Sequence, residues 1–373
     1  MKKTHHIIGL MSGSSIDGLD IAFCRFEFDE SPKKGQIQWQ IIESTTVPYP
    51  INWQNRLRKT TSMSAPELLE TDAALGRWMG QEVKKFIHEK ELKVDLVASH
   101  GHTVFHFPEK GYSLQIGNGN HLAEKCGLPV IYDFRMADIA AGGQGAPLAP
   151  VVDEWLFTDY DFFLNLGGIA NVACHTKDGF VGYDVIGANQ TLDALAGKLD
   201  LAYDKGGQIA AQGTINHQLF ESIQQIGFFQ ENYPKSLDNQ WVVKNMTQPI
   251  LAFNDSIPNK MATMVELIAK NIGTEINQLL PIAKREKHQM LVTGGGTHNT
   301  FLMEKINHYC DDHIEIIIPK KEIIDSKESL LIALLGLLNF YGVPNSSPTV
   351  TGANQNTLGG VWAGDIINLS FGT

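Results

Sequence analysis

The chain has 373 residues, of which 43% are hydrophobic and 19% charged, and this composition excludes an intrinsically disordered protein. At roughly 100–200 residues per domain, the length predicts two domains. Acidic residues outnumber basic ones, 41 to 30, and the net charge of −11 argues against a protein that binds nucleic acid or anionic membranes through a basic surface.

Neither the cysteines nor the apolar segments predict export or a membrane anchor. The four cysteines are far apart and form no CxxC pair, which excludes a zinc ribbon and a disulfide framework and fits a reducing compartment. The apolar run at residues 7–11 is too short for the core of a signal peptide. The longest apolar stretch, residues 330–338, is far below the ~20 residues that span a bilayer and predicts a buried helix. We therefore expect a cytoplasmic protein that binds neither a membrane nor nucleic acid.

The first predicted element is a β-hairpin. Residues 7–11 form a short apolar run. Apolar and polar residues alternate at residues 19–26, which fits the partner strand. The residues between them, 12–18, are small and polar and include two glycines, which predicts a glycine-rich turn at the tip.

A long helix and a buried strand are predicted next. Ser64 and Glu67 have the spacing of a capping box, and apolar residues then recur at helical intervals as far as residue 87. Residues 94–98 predict a buried strand, and residues 99–103 are expected to form the loop at its carboxyl end. Strands that alternate with helices predict an α/β architecture.

The second half repeats the pattern of the first. Residues 162–166 and 169–174 predict two strands joined by a turn at Gly167 and Gly168. Strand, glycine turn and strand therefore occur near the start of each half, which indicates a two-fold pseudo-duplication rather than a short repeat. The Pro/Gly-rich stretch 140–150 is expected to be the crossover between the halves.

A third glycine-rich turn follows a strand predicted at residues 290–293. It contains Gly294, Gly295 and Gly296, and residues 299–306 after it have the pattern of a helix. Glycine permits positive φ and lets a backbone N–H approach a ligand closely, and a phosphate needs several converging N–H donors together with a hydroxyl. Each turn taken alone fits an ordinary tight turn. Three of them at the ends of apolar strands, spread over two halves, predict two lobes that hold a nucleotide.

Two common nucleotide-binding motifs do not occur in the sequence. There is no G-x-x-x-x-G-K-[ST] motif, because Gly197 and Lys198 are followed by Leu199 and lack the upstream glycine. There is no G-x-G-x-x-G motif, because the run GNG at residues 117–119 is followed by NHL. The sequence therefore argues against a P-loop NTPase and against a Rossmann dinucleotide-binding domain.

The opening motif resembles that of a known family. Residues 9–20, GLMSGSSIDGLD, are similar to the phosphate loop of anhydro-N-acetylmuramic acid kinases, with Ser14 in place of the usual threonine. The similarity continues in family order through nearly the whole chain, at residues 99–108 (SHGHTVFHFP), 114–117 (LQIG), 133–135 (DFR), 140–147 (AAGGQGAP), 165–172 (NLGGIANV), 234–236 (PKS), 292–299 (VTGGGTHN) and 351–353 (TGA). The opening motif together with AAGGQGAPL is highly specific.

The resemblance implies a two-domain α/β protein of the actin-like ATPase (ribonuclease H-like) fold. Each domain would be a mixed five-stranded sheet flanked by helices, with ATP in an interdomain cleft. The domains would be residues 1–139, which hold the phosphate loop, and residues 140–373, which hold the catalytic aspartate and the other glycine turns. The resemblance also allows the last residues of the chain to belong to the N-terminal domain. Enzymes of this family are commonly homodimers.

The resemblance also implies the reaction. 1,6-Anhydro-N-acetylmuramic acid, ATP and water would give N-acetylmuramic acid 6-phosphate and ADP, a step in the recycling of cell-wall peptidoglycan. Hydrolytic ring opening coupled to phosphoryl transfer needs a base for the water and electrostatic support for the γ-phosphate.

By resemblance the base is Asp184, within residues 182–189 (GYDVIGAN). The family segment usually reads D-T-G-P-G-N, or has Ala before the Asn, so this chain keeps the Asp, Ala and Asn but replaces Thr-Gly-Pro at residues 185–187. The base is retained while a hydroxyl and a rigid turn are lost, which leaves the substrate preference open. Without the resemblance, Asp184 fits an acid at a helix N-terminus.

The resemblance assigns ATP to the three glycine-rich turns. The residues expected to contact it are Gly13, Ser14, Ser15, Ile16, Asp17, Gly18, Leu19, Asp20, Gly167, Gly168, Gly294, Gly295 and Gly296. Asp17 and Asp20 are also the expected partners, direct or through water, of the Mg²⁺ that accompanies ATP, since magnesium keeps waters and uses few carboxylates.

Two charged side chains are assigned to the sugar. Arg135 would grip the lactyl carboxylate with two parallel hydrogen bonds, and its alternative is a surface ion pair with Asp133 or Asp138. Glu328 aligns with a family glutamate that contacts the sugar, and its alternative is an ordinary charge at a helix N-terminus.

Two further side chains complete the predicted sugar site. His100 is expected in a strand-end loop, where ligands bind in open α/β sheets, although lone histidines are often structural. In the same motif His102 replaces the family's glutamine. Asn118, in the next loop, would bind the acetamido group.

Two other functions stay open on the sequence alone. The altered residues 185–187 also fit a kinase of the same fold that acts on another amino sugar, such as free N-acetylglucosamine or N-acetylmuramic acid. A non-catalytic nucleotide- or muropeptide-binding sensor ranks last, because Asp184, Ser14 and Ser15 are all present.

Overall fold

The chain forms two compact units. The structure is a computed structural model, and the residues that it describes are 2–13, 16–177, 179–233, 235–279 and 286–365. The first unit contains Met1–Thr158 and Ser326–Thr373, and the second contains Asp159–Asp325. The expected boundary between residues 139 and 140 therefore lies inside the first unit.

The Pro/Gly-rich stretch 140–150 is not the crossover, because it is hydrogen-bonded within the first unit. The backbone N–H of Gln144 donates to the carbonyl oxygen of Thr351 at 2.8 Å. The helix that follows is also tied to this unit, since the N–H of Gly35 donates to the carbonyl oxygen of Trp155 at 3.1 Å. The chain leaves the first unit only after that helix.

The strands alternate with helices along most of the chain. Among the described residues the strands are β1 (Lys2–Ser12), β2 (Gly18–Asp29), β3 (Gln38–Pro48), β4 (Leu96–Phe107), β5 (Tyr112–Ile116), β6 (Val130–Tyr132), β7 (Phe162–Leu166), β8 (Ile169–Thr176), β9 (Gly179–Gly187), β10 (His288–Thr293), β11 (Ile314–Ile317) and β12 (Val361–Ala363). The predicted hairpins at both glycine turns are confirmed as the pairs β1–β2 and β7–β8.

The helices follow the local sequence signals. They are α1 (Ile51–Leu57), α2 (Ala65–Glu89), α3 (Gly119–Cys126), α4 (Met136–Ala140), α5 (Ala149–Leu156), α6 (Asn189–Ala196), α7 (His217–Gln224), α8 (Asn239–Val242), α9 (Gln248–Ala252), α10 (Ile257–Leu279), α11 (Thr300–Tyr309), α12 (Lys321–Phe340) and α13 (Pro348–Thr351). The predicted capping box is confirmed, because the N–H of Ser64 donates to the Glu67 carboxylate at 2.9 Å directly before α2. None of the helices in the described part of the chain is long and apolar enough to cross a membrane.

The sheet of the first unit has seven strands. β1, β2 and β3 are antiparallel neighbours, and β4 and β6 lie parallel on the other side of β1, which gives the order β3-β2-β1-β4-β6. β12 adds antiparallel to β6, and β5 forms a hairpin with the end of β4.

The sheet of the second unit has five strands in the order β9-β8-β7-β10-β11. β7, β8 and β9 are antiparallel, whereas β10 and β11 lie parallel to β7. The two units therefore share one mixed topology, which confirms the predicted α/β fold and its duplication. The first unit adds β5 and β12 to the common five-stranded plan.

The expected loop at residues 99–103 is wrong, because β4 continues through it. Residue Gly101 has a φ of +74°, and beyond it the strand pairs with β5 from His102 opposite Ile116 to Phe107 opposite Tyr112. The backbone hydrogen bonds to β5 extend the strand past the point where its apolar run ends.

Strand β1 packs directly against the buried helix α12. A Cβ atom placed on Gly9 would lie 1.9 Å from the carbonyl oxygen of Ser329 in α12. The predicted buried stretch 330–338 is confirmed as the following part of this helix. Only glycine lets the strand and the helix backbone approach this closely.

Replacement of Gly9 by alanine is expected to lower the free energy of unfolding by ~1–3 kcal/mol, because the added methyl group forces β1 and α12 apart. Urea unfolding followed by circular dichroism measures the change. Gly197→Ala is the matched control, since a Cβ there meets nothing within 4 Å. Equal stability of the Gly9 variant and the wild type would contradict the close packing of β1 on α12.

Candidate active site

Asp184 lies in β9 of the second unit, and its side chain is half-buried. The carboxylate accepts a hydrogen bond from the backbone N–H of Leu237, with 2.8 Å between N and Oδ2. Burial raises the pKa of Asp184 to about 6, and the Leu237 N–H acts in the opposite direction. Such a carboxylate is ionised at neutral pH and is still basic enough to take a proton from water.

A β-bulge follows Asp184 directly. Asn171 in β8 pairs with Asp184 while its neighbour Ala170 pairs with Ile186, so Val185 is the extra residue of the bulge. Bulges re-aim side chains and are frequent beside active sites. Asp184 therefore belongs to a strand, and the alternative that it is an acid at a helix N-terminus is wrong, because α6 begins further along the chain.

The two glycine turns of the second unit lie side by side. Residues 167–168 follow β7 and residues 294–296 follow β10, and these strands are parallel neighbours, so their carboxyl ends meet at one edge of the sheet. Gly294 has a φ of +89°, and a Cβ on it would lie 2.7 Å from Oδ1 of Asn165 in β7. The backbone approach of the two turns thus requires glycine.

The start of helix α6 is tied to the first of these turns. The N–H groups of Ala188 and Asn189 donate to the carbonyl oxygens of Gly168 and Gly167 at 2.7 Å and 3.2 Å. The side-chain amide of Asn189 donates to the carbonyl oxygen of Leu166 at 2.8 Å. These contacts place the positive end of a helix dipole next to the glycine turns, an arrangement that favours anions.

A cavity of about 550 Å³ opens in the second unit beside these turns. Gly295 and Gly296 form part of its wall, and Leu192 of α6 adds apolar surface. Tyr203 also lines it and is 60% exposed. Asp193 supplies a carboxylate. Apolar walls with a few polar groups are typical of pockets for small organic ligands.

In the first unit the predicted phosphate loop is the turn between β1 and β2. Ser14 and Ser15 lie outside the described residues. Ile16 has a φ of +57°, and its N–H donates to the carbonyl oxygen of Gly13 at 3.3 Å. The described part of the loop is therefore a tight turn at the carboxyl end of β1.

The remaining residues of the phosphate loop lead into β2. Oδ1 of Asp17 accepts a hydrogen bond from the N–H of Gly18 at 2.9 Å. Oδ1 of Asp20 accepts one from the Thr46 hydroxyl at 2.5 Å. The Leu19 side chain is fully buried in the core, so Leu19 can meet a ligand only through its backbone.

Arg135 is held by neutral partners in the first unit. Its Nε–H donates to Nε2 of His100 at 3.0 Å, and a terminal N–H donates to the carbonyl oxygen of Gly145 at 2.6 Å. The alternative ion pair with Asp133 or Asp138 is wrong, because Asp138 accepts from the backbone N–H of Gly145 and Asp133 accepts from a backbone N–H of α4. Burial lowers the pKa of Arg135 to about 10, which leaves the guanidinium charged at neutral pH.

His100 supports Arg135 from a buried position in β4. Burial lowers the pKa of His100 to about 3, and the charge of Arg135 acts in the same direction, so the ring is neutral. One nitrogen of a neutral imidazole donates and the other accepts. Since Nε2 accepts from Arg135, Nδ1–H donates to the carbonyl oxygen of Gly101 at 3.0 Å. Both ring nitrogens are therefore used within the protein.

Glu328 belongs to the same group of charges. It lies in α12 beyond the first turn, so the alternative of a helix N-terminal charge is wrong. Arg135 attracts its carboxylate, whereas Asp17 and Asp20 repel it. The first unit thus brings together five of the predicted site residues: Arg135, His100, Glu328, Asp17 and Asp20.

Asn118 caps helix α3. Its side-chain oxygen accepts a hydrogen bond from the N–H of His121 at 3.3 Å, and its amide nitrogen donates to Oδ2 of Asp72 at 3.2 Å. The side chain that was assigned to the acetamido group is thus engaged in local structure.

Three groups of the candidate site were not predicted from the sequence. The Leu237 N–H on Asp184 is a backbone group, and every residue but proline carries one. Leu192 and Tyr203 line the cavity, but neither lies in a motif. Only the folded chain places these groups beside the predicted residues.

Comparison with known proteins identifies relatives over nearly the whole chain. The family model of anhydro-N-acetylmuramic acid kinase matches residues 5–364. The anhydro-N-acetylmuramic acid kinase of Pseudomonas syringae pv. syringae (strain B728a) is 33% identical over 95% of this chain and 98% of that protein. The protein of the same name from Acaryochloris marina (strain MBIC 11017) is 32% identical over 94% of this chain and 97% of that protein.

Solved structures match at a much lower level. A ROK family glucokinase from Streptomyces griseus in complex with glucose and AMPPNP is 12% identical and has a TM-score of 0.39, with 88% of this chain and 98% of that chain covered. Similarity this low supports no inference about the present chain.

Replacement of Asp184 by asparagine is expected to stabilise the protein above neutral pH. The raised pKa of Asp184 means that the folded state binds this proton more tightly than the unfolded chain does, so the fold loses stability as the pH rises from about 4, the pKa in the unfolded chain, to about 6. Asparagine removes the charge and keeps an acceptor for Leu237. Thermal unfolding should show a higher midpoint at about pH 8 and little change at about pH 3.5, where the carboxyl is mostly protonated in both states.

The control for this measurement is the exposed Asp159, whose replacement by asparagine should leave the midpoint unchanged at both pH values. An increase for the Asp184 variant that is the same at both pH values would contradict the assignment of a raised pKa to this carboxyl.

Proposed function

Because the chain belongs to the anhydro-N-acetylmuramic acid kinase family, we propose that it converts 1,6-anhydro-N-acetylmuramic acid, ATP and water to N-acetylmuramic acid 6-phosphate and ADP. The observation that carries the proposal is the half-buried Asp184, whose raised pKa suits a base for water. The product would return a cell-wall sugar to metabolism in peptidoglycan recycling. The cytoplasmic location and the homodimer expected from the resemblance stay predictions.

Asp184 would act on the water that opens the sugar. The carboxylate accepts a proton as the water oxygen attacks C1, and the bond between C1 and O6 breaks. O6 then attacks the γ-phosphorus, and ADP leaves. The bonds C1–O(water) and O6–P form while C1–O6 and P–O(ADP) break. The transferred phosphoryl group therefore captures O6, and no separate acid is needed to protonate it.

ATP would use the glycine turns of both units. In the second unit, the turns at 167–168 and 294–296 lie next to the positive end of α6, which favours a phosphate. The adjoining cavity of about 550 Å³ would take the nucleoside, with the exposed ring of Tyr203 available to stack on adenine. In the first unit, residues 9–20 would supply backbone N–H groups to the remaining phosphates.

Mg²⁺ would enter with ATP and meet carboxylates of the first unit. Asp17 and Asp20 lie in the last part of residues 9–20, and their oxygens are the hard ligands that magnesium prefers. Magnesium typically uses one or two carboxylates together with substrate phosphates and water, and the pair fits that pattern. When bound, the ion would neutralise charge on the transferring phosphoryl group.

The sugar would be gripped through its lactyl carboxylate by Arg135. The guanidinium is charged, is held by His100 and Gly145, and has no ion pair among the described residues. A carboxylate with two parallel hydrogen bonds suits the geometry of arginine. Glu328, whose charge acts to raise the pKa of Arg135, would accept a hydrogen bond from a sugar hydroxyl.

Asp184→Asn is expected to lower kcat by ~10²- to 10⁴-fold, because asparagine cannot accept the proton of the attacking water. ADP release in the presence of the anhydro sugar measures turnover, and calorimetry measures ATP binding, which should change little. The exposed Asp159→Asn variant serves as the control for both. An unchanged rate in the Asp184 variant would rule out this carboxylate as the base.

Arg135→Gln is expected to raise KM for 1,6-anhydro-N-acetylmuramic acid by roughly 10- to 100-fold, since a hydrogen-bonded charge pair with the lactyl carboxylate is lost. KM for 1,6-anhydro-N-acetylglucosamine, which has no lactyl group, should change far less. Arg25→Gln, at an exposed position in β2, controls for loss of positive charge. An equal rise in KM for both sugars would mean that Arg135 does not bind the lactyl carboxylate.

A further inference from the structure

A buried lysine lies beside the segment that holds Asp184. Lys235 is only 7% exposed, and its Nζ donates to Oε1 of Glu275 in α10 at 2.7 Å. The other carboxylate oxygen of Glu275, Oε2, accepts a hydrogen bond from the Tyr183 hydroxyl at 3.0 Å. We call Lys235, Glu275 and Tyr183 the Lys235 cluster. Its lysine belongs to the PKS motif, for which the proposed reaction leaves no direct role.

The Lys235 cluster is poorly explained as a device for stability alone. Its ammonium lies over the rings of Phe228 and Tyr183, with 5.1 Å and 5.9 Å to the centroids, and its side chain is 2% exposed. Removing two charges from water costs about as much as their attraction returns, and apolar replacements of buried pairs are often neutral or stabilising. A buried ion pair at this position therefore points to something that needs a fixed geometry.

The backbone next to the Lys235 cluster contacts Asp184 twice. The carbonyl oxygen of Lys235 accepts a hydrogen bond from the N–H of Asp184 at 3.2 Å. The N–H of Leu237 donates to the Asp184 carboxylate at 2.8 Å. Tyr183 precedes Asp184 in β9, so the cluster holds both sides of this contact: the strand through the tyrosine hydroxyl, and residues 235–237 through the ammonium.

We propose that Lys235 is a positioning residue for Asp184: its ion pair with Glu275 fixes residues 235–237 to α10, and this keeps the Leu237 N–H on the Asp184 carboxylate. The inference rests on the proposed function of Asp184. When the ion pair is lost, the Leu237 N–H moves away, the carboxylate loses its orientation toward water, and its ionised form loses a donor.

Two kinetic effects follow. The kcat falls by roughly 10- to 100-fold, because small displacements of a catalytic group have effects of this size. The acid limb of the pH profile of kcat moves up by about one pH unit, because a lost hydrogen bond to the ionised form raises the pKa of a carboxyl. KM for the sugar and for ATP should stay within about twofold, since the cluster itself contacts neither in this proposal.

Other titratable groups that face the cluster do not produce this limb. Besides Glu275, the groups that act on Tyr183 are Cys174 in β8 and Tyr233, whose ring stacks on that of Tyr183 at 5.4 Å. Burial raises the pKa of Cys174 to about 12, so its thiol stays neutral across the acid limb. The pKa of Asp184 itself is set by burial and by the Leu237 N–H.

The experiment compares Lys235→Met with Glu275→Gln. Each substitution breaks the ion pair, but the two remove charges of opposite sign. A through-space effect would move the acid limb in opposite directions, whereas loss of positioning moves it up in both variants. The double variant Lys235→Met/Glu275→Gln leaves no unpaired buried charge and should show the same shift, which keeps the test valid where a single variant folds poorly.

The chain offers a matched control on the same helix. Glu266 in α10 pairs with Lys305 at 3.0 Å and also accepts a hydrogen bond from the Tyr309 hydroxyl, so it repeats the composition of the Lys235 cluster without a backbone contact to Asp184. Lys305→Met should lower the thermal midpoint and leave kcat and the acid limb unchanged.

Three results would overturn the inference: an unchanged acid limb in the Lys235 and Glu275 variants, shifts of opposite sign, or an equal shift in Lys305→Met. Failure of the inference is distinct from failure of the proposed function. If Asp184→Asn keeps its turnover, both fail. If Asp184→Asn is inactive while the Lys235 variants keep kcat and the acid limb of the wild type, only the positioning role is wrong.

Discussion

The proposed active site depends on keeping the half-buried carboxylate of Asp184 charged. Full exposure would leave Asp184 a weak base, and full burial without a donor would keep it protonated at neutral pH. Asp184 lies between these extremes, since burial raises the pKa of its carboxyl to about 6 while the N–H of Leu237 opposes the rise. A base of this strength needs partial burial and one fixed donor, and the segment at residues 235–237 supplies the donor.

The repeated topology of the two sheets explains why the groups that we propose to bind ligands lie at strand ends in each unit. In both units an antiparallel hairpin starts the sheet, and parallel strands are added beside its first strand. The glycine turns at residues 167–168 and 294–296 therefore meet at one edge, and residues of α6 line the adjoining cavity. Variation of the turns at these ends leaves the core intact, which allows one fold to serve ligand binding twice.

Local signals predicted most of the fold, and non-local contacts account for what was missed. Hairpins, the capping box before α2 and the buried part of α12 follow from patterns within a few residues. Strand β4 was predicted too short because pairing with β5 extends it past its apolar run. The domain boundary failed because hydrogen bonds from residues 140–158 to distant parts of the first unit are invisible in composition. Similarly, family motifs located Asp184, Arg135 and His100, whereas the hydrogen bonds from Leu237 to Asp184 and from Arg135 to His100 emerged only in the folded chain.

We propose above that water activated by Asp184 opens the anhydro ring. The most direct test is to find where the new oxygen at C1 comes from. The reaction is run in H₂¹⁸O with ATP and 1,6-anhydro-N-acetylmuramic acid, quenched early and analysed by mass spectrometry with fragment assignment. Authentic product kept in the same water for the same time corrects for slow exchange at the anomeric carbon. We expect one ¹⁸O atom at C1 and none in the phosphate. A product that carries no label beyond this control, or a label in the phosphate, would contradict the proposal.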